Sequence, residues 1–177
     1  MKILSMKTTI FLGAMLSLLV CLMFTGCSNS ETNSTSRGLT DFAHIEEEYL
    51  ATIDSLNWPD GITLPDKLED EDTGASFQVG YGETRASYLW EYSWMKEWLD
   101  TYNTDPERAE KALEELEKAF DMPYMGIDRC DDATRNYLRE NIDKAKLGDP
   151  SGFTESIRAN YANYCLLYTS PSPRDRQ

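Results

Sequence analysis

Histidine is nearly missing from this 177-residue chain, which carries one, His44. Nucleophilic sets of the Ser-His-Asp or Cys-His type and histidine-rich zinc sites need imidazoles brought to a common point, so none is expected. Positive charge is scarce as well: 17 Lys and Arg stand against 31 Asp and Glu, a net charge of −14. Nucleic acid is excluded as a partner, because phosphate binding needs a basic footprint. Strands and helices do not alternate in the order of a parallel α/β sheet, which argues against a two-lobed solute-binding architecture. Gly80-Tyr81-Gly82 is followed by Arg85 where a dinucleotide fingerprint has its third glycine. No cofactor is implied.

The most informative residues lie at the N-terminus. Lys2 and Lys7 precede an uncharged stretch over residues 8–30, whose apolar part, 10–24, closes on Phe24-Thr25-Gly26-Cys27. A basic start, an apolar centre and small residues before the cysteine are the parts of an export signal. The segment resembles the lipobox of bacterial lipoproteins, with Phe24 where the family usually carries Leu. The resemblance implies a signal peptide over residues 1–26 and a lipidated Cys27, palmitate among its chains, as first mature residue. One acyl chain holds a membrane only marginally, so a diacylated or triacylated Cys27 is expected, on the extracytoplasmic face of the cell membrane. An uncleaved membrane helix is the alternative, since about 20 apolar residues span a bilayer. Thr8, Thr9, Gly13, Ser17, Thr25 and Gly26 dilute that run.

At the other end, Cys165-Leu166-Leu167-Tyr168-Thr169-Ser170-Pro171-Ser172-Pro173-Arg174-Asp175 resembles the translation of a transposon sequencing adapter. Residues 165–177 are therefore expected to be an artefact, and the helical domain over 41–164 to be incomplete. Discounting Lys2, Lys7, Arg174, Arg176 and Asp175 leaves 13 basic and 30 acidic residues, a net −17 for residues 28–164. A cationic peptide or the basic surface of an envelope protein suits that charge, alongside the membrane reached through lipid on Cys27. With Cys21, Cys27 and Cys165 assigned to the two ends, Cys130 remains, and the fold is expected to be held by its core rather than by disulfides. Carboxylates around Cys130 are expected to disfavour its thiolate.

Residues 28–37, rich in Ser, Asn and Thr, lack periodicity, and residues 27–40 read as a lipidated cysteine and flexible tether spanning about 20 Å. A first helix is predicted from Thr40 or Asp41, either of which can cap it, with Phe42, Ile45, Tyr49, Ile53 and Leu56 on one face and Trp58-Pro59 ending it. His44 is expected to be solvated, because Glu46, Glu47 and Glu48 point progressively around that helix. A loop with turn chemistry follows, and a short extended segment is expected over residues 76–81. Taken as a calcium loop from Asp70, it has Ala75 where glycine is needed and Tyr81 where glutamate is needed.

The next helix, over residues 83–102, is the unusual one. Tyr88, Tyr92, Met95, Leu99 and Tyr102 form one stripe, and Trp90, Trp94 and Trp98 recur every fourth residue on its flank. An apolar arc of more than half the circumference predicts a central helix packed on several sides. The alternative is an indole ridge, Trp90, Trp94 and Trp98, partly exposed to bind a sugar, peptide or partner helix. Thr104 and Glu107 have capping-box spacing before a helix with Ala109, Ala112, Leu113, Leu116, Ala119 and Phe120 inward, and Glu107–Lys111 and Glu114–Lys118 as outer pairs. A fourth helix, carrying Leu138, Ile142 and Ala145, is capped by Asp131 or Asp132 and stopped at Gly148; a fifth, near Asp149-Pro150 or Ser151, presents Phe153, Ile157, Tyr161 and Tyr164.

These elements make a mainly α class, a small multi-helix domain after a tether. The segment Tyr88-Leu89-Trp90-Glu91-Tyr92-Ser93-Trp94 loosely resembles small lipoproteins of unassigned activity. The expected role is binding or envelope-accessory, without catalysis. The alternative, an envelope hydrolase cutting wall polymer, needs two facing carboxylates. Glu91 and Glu97 fall on different sides of the aromatic helix, and no catalytic residue is assigned.

Overall fold

The computed structural model describes residues 38–69 and 71–161. The signal-like segment, Cys27, most of the tether, Asp70, Tyr164 and the adapter-like end lie outside the described residues. Five α-helices dominate the described residues: α1 (Phe42–Ser55), α2 (Tyr81–Thr101), α3 (Pro106–Glu117), α4 (Asp132–Lys146) and α5 (Ser151–Asn160). The domain is mainly α, as its periodicity predicts. Two 3-10 turns, Lys118–Asp121 and Pro123–Met125, join α3 to α4. Strands β1 (Leu39–Thr40) and β2 (Phe77–Gln78) pair antiparallel, Leu39 opposite Gln78. The end of the expected tether is thus part of the fold, because the extended segment before α2 needs a partner for its backbone.

Asp41 caps α1 by accepting the His44 amide at 3.0 Å, and Ile45, Tyr49 and Ile53 face inward. The capping at α2 comes from another helix. Gly80 supplies a left-handed φ of 86° but no side chain, and Glu48 of α1 accepts the amides of Gly80 at 2.7 Å and Gly82 at 3.1 Å. A carboxylate there satisfies donors that the first turn leaves unpaired and suits the positive end of the helix dipole. Glu46 likewise accepts the Leu68 amide. Two of the three glutamates that follow His44 therefore organise the start of α2 and the preceding loop. At Gly82 the helices all but touch, since a Cβ there would lie 1.8 Å from the Ile45 carbonyl oxygen.

α2 is central, packed by α1, α3, α5 and the Pro123–Met125 turn. Residues 89–95 are buried without a break, which an amphipathic surface helix does not allow. Its buried hydroxyls are satisfied within the helix: Ser87, Ser93 and Thr101 donate to the carbonyls of Glu83, Leu89 and Glu97. Asp105, not Thr104, caps α3 by accepting the Arg108 amide at 3.2 Å. The expected outer pairs of α3 also re-form differently. Lys118 bonds Glu115, three residues before it, at 2.7 Å, and the Lys111 ammonium stands 5.8 Å from the Trp94 ring of α2. Asp131 caps α4 through the Thr134 amide, and Gly148, with φ 79°, reverses the chain into α5. No helix of the described residues is long and apolar enough to cross a membrane.

Candidate functional site

Trp90, Trp94 and Trp98 are the first residues to place, because they carry the expectation of a binding ridge. All three are buried, at 1%, 1% and 2% exposure. Trp90 and Trp94 point their N–H groups at the backbone of the α1 exit, and Trp98 stacks on Tyr102 at 4.6 Å and meets Phe153 edge-on at 5.3 Å. Trp98 also lines a hollow of about 450 Å³ beside Glu110, Glu114 and Lys146. The indoles thus belong to the core, and no exposed tryptophan platform occurs among the described residues.

On another side of α2 stands Glu91, 5% exposed. Its Oε2 accepts the Tyr124 hydroxyl at 2.7 Å and its Oε1 the Tyr161 hydroxyl at 2.8 Å. Local structure explains how the three meet. Pro123 opens a 3-10 turn that swings Tyr124 beneath α2, and Tyr161 is the residue on which α5 ends. Tyr88, one turn before Glu91, meets the rings of Tyr124 and Tyr161 edge-on at 5.7 and 6.5 Å, and Tyr92 lies 5.8 Å from Tyr161. Four tyrosine rings thus gather around one carboxyl.

Burial pushes the Glu91 carboxyl above its ordinary titration range, and the two phenolic hydrogen bonds oppose that shift by favouring the ionised form. The Tyr124 hydroxyl is pushed well above its ordinary value, first by burial and then by the Glu91 charge. No ion pair joins Glu91 to a cation of the described residues.

Glu91 lines a cavity of about 810 Å³. α2 supplies Arg85 and Tyr88, the first half of α4 supplies Thr134 and Tyr137, and the end of α5 supplies Ser156 and Tyr161. Tyr88 and Tyr137, each 39% exposed, stand where the lining meets solvent. Arg85 is drawn aside by Glu71, with Nε 3.5 Å from the carboxylate. The volume falls in the range of small-molecule sites, which combine apolar walls with a few placed polar groups.

Glu97, the other acid of the aromatic helix, faces Arg108 in a two-pronged pair at 2.7 and 2.9 Å on the α3 side. The two carboxylates are separated as their spacing predicts. Cys130 is half-buried, with Sγ 3.5 Å from Met125 Sδ. Its thiol is shifted upward, by burial ahead of the Asp131 charge and against the nearby Arg135, so desolvation leads where sequence pointed to carboxylates. His44 is 47% exposed at its side chain and lies 3.3 Å from Glu48. No group of three or more His, Cys, Asp or Glu able to hold a metal occurs among the described residues.

Sequence spacing considered Glu91 beside Glu97, gave it no role and named none of its partners. The available signal was the width of the apolar arc: a helix buried around most of its girth must bury some of its acids. Comparison with protein-family models, with curated proteins and with solved structures gives no significant match.

Proposed function

We propose that this chain is a lipid-anchored binding protein of the cell envelope, held on the extracytoplasmic face through Cys27, with the Glu91 cavity as its ligand site. The lipobox-like Phe24-Thr25-Gly26-Cys27 supports the anchor. The observation that carries the binding role is the cavity of about 810 Å³ with a buried carboxyl fixed by Tyr124 and Tyr161. A wall-polymer hydrolase needs a second carboxylate across the scissile bond. Glu91 faces two phenols instead, and Glu97 is engaged by Arg108 on another side. That arrangement favours holding a ligand over cutting one.

Two measurements test the reading. In detergent-phase partitioning the wild type enters the detergent phase and Cys27→Ser does not; equal partitioning of an uncleaved chain overturns the lipid anchor. For the cavity, small-molecule fractions of envelope extract are screened by thermal shift against wild type and Ala159→Trp, which fills the lining. A fraction that raises the melting temperature of the wild type alone supports binding. Glu91-dependent release of wall fragments establishes the hydrolase instead.

A further inference from the structure

Glu91 leaves a specific chemical demand in the cavity. A buried carboxylate without a cationic partner is unfavourable, and a ligand bearing positive charge supplies what the described residues do not. Around it stand aromatic rings: Tyr161 and Tyr88 line the cavity with Glu91, and Tyr137 joins them at the mouth. Aromatic rings set around an acid are the arrangement that attracts a desolvated cation through ring quadrupoles. Each carboxylate oxygen already accepts one phenolic hydrogen, which takes up about half of the acceptor capacity of the group and leaves its charge and the surrounding rings as the main offer. A cation that needs no hydrogen bonds fits that offer best. The Arg85 charge on the same lining is offset by Glu71. The net −17 of residues 28–164 raises the local concentration of any cation.

We infer that the cavity floored by Glu91 and walled by Tyr88, Tyr137 and Tyr161 binds a small quaternary ammonium ligand of the choline type. The inference rests on the binding role proposed above and names its ligand class.

Titration calorimetry with choline and with 3,3-dimethylbutan-1-ol, its neutral isostere, tests the charge requirement. Choline is expected to bind, and the isostere to bind about tenfold more weakly or less. Glu91→Gln, which keeps shape and removes charge, is expected to lose that preference. Tyr137→Leu is expected to weaken choline several-fold while Tyr137→Phe retains it, and both lie at the half-exposed mouth, where folding is little affected. Equal binding of choline and isostere, or binding of a neutral disaccharide in preference to choline, overturns the ammonium ligand and leaves the binding role standing. Absence of choline binding overturns it too. If no envelope fraction shifts the melting temperature either, the binding role falls with it.

Discussion

Trp90 and Trp94, one helical turn apart, donate their indole N–H groups to a single acceptor, the carbonyl oxygen of Asn57, at 2.9 and 3.1 Å. The shared acceptor lies just past the end of α1, whose last turn is closed by Trp58 donating to the Ile53 carbonyl. Three tryptophans thereby pin the exit of α1 against the centre of α2. Indoles used this way are structural, since each buries a large apolar surface and still satisfies its one polar atom.

Truncation of these side chains is therefore expected to act on stability. Trp90→Ala and Trp94→Ala should each lower unfolding free energy by about 3–5 kcal/mol in urea titration, in the range for deleting a buried tryptophan. A variant with unchanged unfolding free energy that has lost a ligand would return the indole ridge to a binding role.

The α1–α2 crossing predicts a sharper sensitivity at a residue with no side chain. Gly82→Ala puts a methyl group 1.8 Å from the Ile45 carbonyl oxygen, so backbone must separate from backbone. The expected loss is about 3 kcal/mol or more, at or above the upper end for overpacked cores. Glu48→Ala removes the acceptor for the Gly80 and Gly82 amides and should cost about 1 kcal/mol, as for other lost helix caps. Thermal unfolding ranks the two, and an alanine at position 82 milder than one at 48 contradicts the close crossing.

Stability should depend on pH through Glu91 in a direction opposite to that of the exposed capping acids. The folded chain holds the Glu91 proton more tightly than the unfolded chain, whose carboxyl titrates near 4.5, so folding loses stability as pH rises above that value. Asp131 and Asp149 are shifted down, chiefly by the backbone amides of Thr134 and Ser151, so their contribution is present above 3.8 and lost as pH falls through their folded values. Tyr124 and Tyr161 donate to Glu91, Arg85 lines the same cavity and Cys130 feels the Glu91 charge; the Tyr124 hydroxyl is pushed up, away from this window. Urea titrations of wild type and Glu91→Gln between about pH 4 and pH 8 should show the gap widening in favour of the glutamine with rising pH. A gap that stays constant shows that folding leaves the Glu91 carboxyl unshifted and overturns the effect ascribed to its burial.

Asn141 marks a place where the fold is not optimised. It is 2% exposed on α4, its Nδ2 has no hydrogen-bond partner, and Oδ1 lies 2.6 Å from where a Cβ on Gly152 of α5 would stand. A buried amide donor left unpaired is unfavourable by about 1–3 kcal/mol. Asn141→Leu, whose side chain has the same number and branching of heavy atoms, is expected to raise the unfolding free energy by about 1 kcal/mol in chemical denaturation. A loss of stability would show that the amide makes a contact worth keeping.

Local chemistry made most of the elements legible from sequence. Asp41 and Asp131, each one of two adjacent candidates, act as caps, Gly148 reads as a stop and turns the chain with positive φ, and the apolar spacing of α1, α3 and α4 names their buried faces. Such signals span three or four residues, so no distant partner is needed to read them. The same range explains the misplacement of the α3 cap: Thr104 and Asp105 are adjacent candidates, and only the backbone path decides which side chain meets the Arg108 amide.

Tertiary structure decided the rest, because its contacts join residues that periodicity treats separately. Glu48 reaches the start of α2 from 32 and 34 residues away, and Glu91 meets Tyr124 and Tyr161 across 33 and 70 residues. Sequence determined that α2 would be buried on most of its surface. Which of its polar positions would be hidden, and what would satisfy them, depended on how α5 and the Pro123–Met125 turn close against it. Desolvation by those neighbours, absent from any local pattern, makes Glu91 the chemically distinctive residue of this fold.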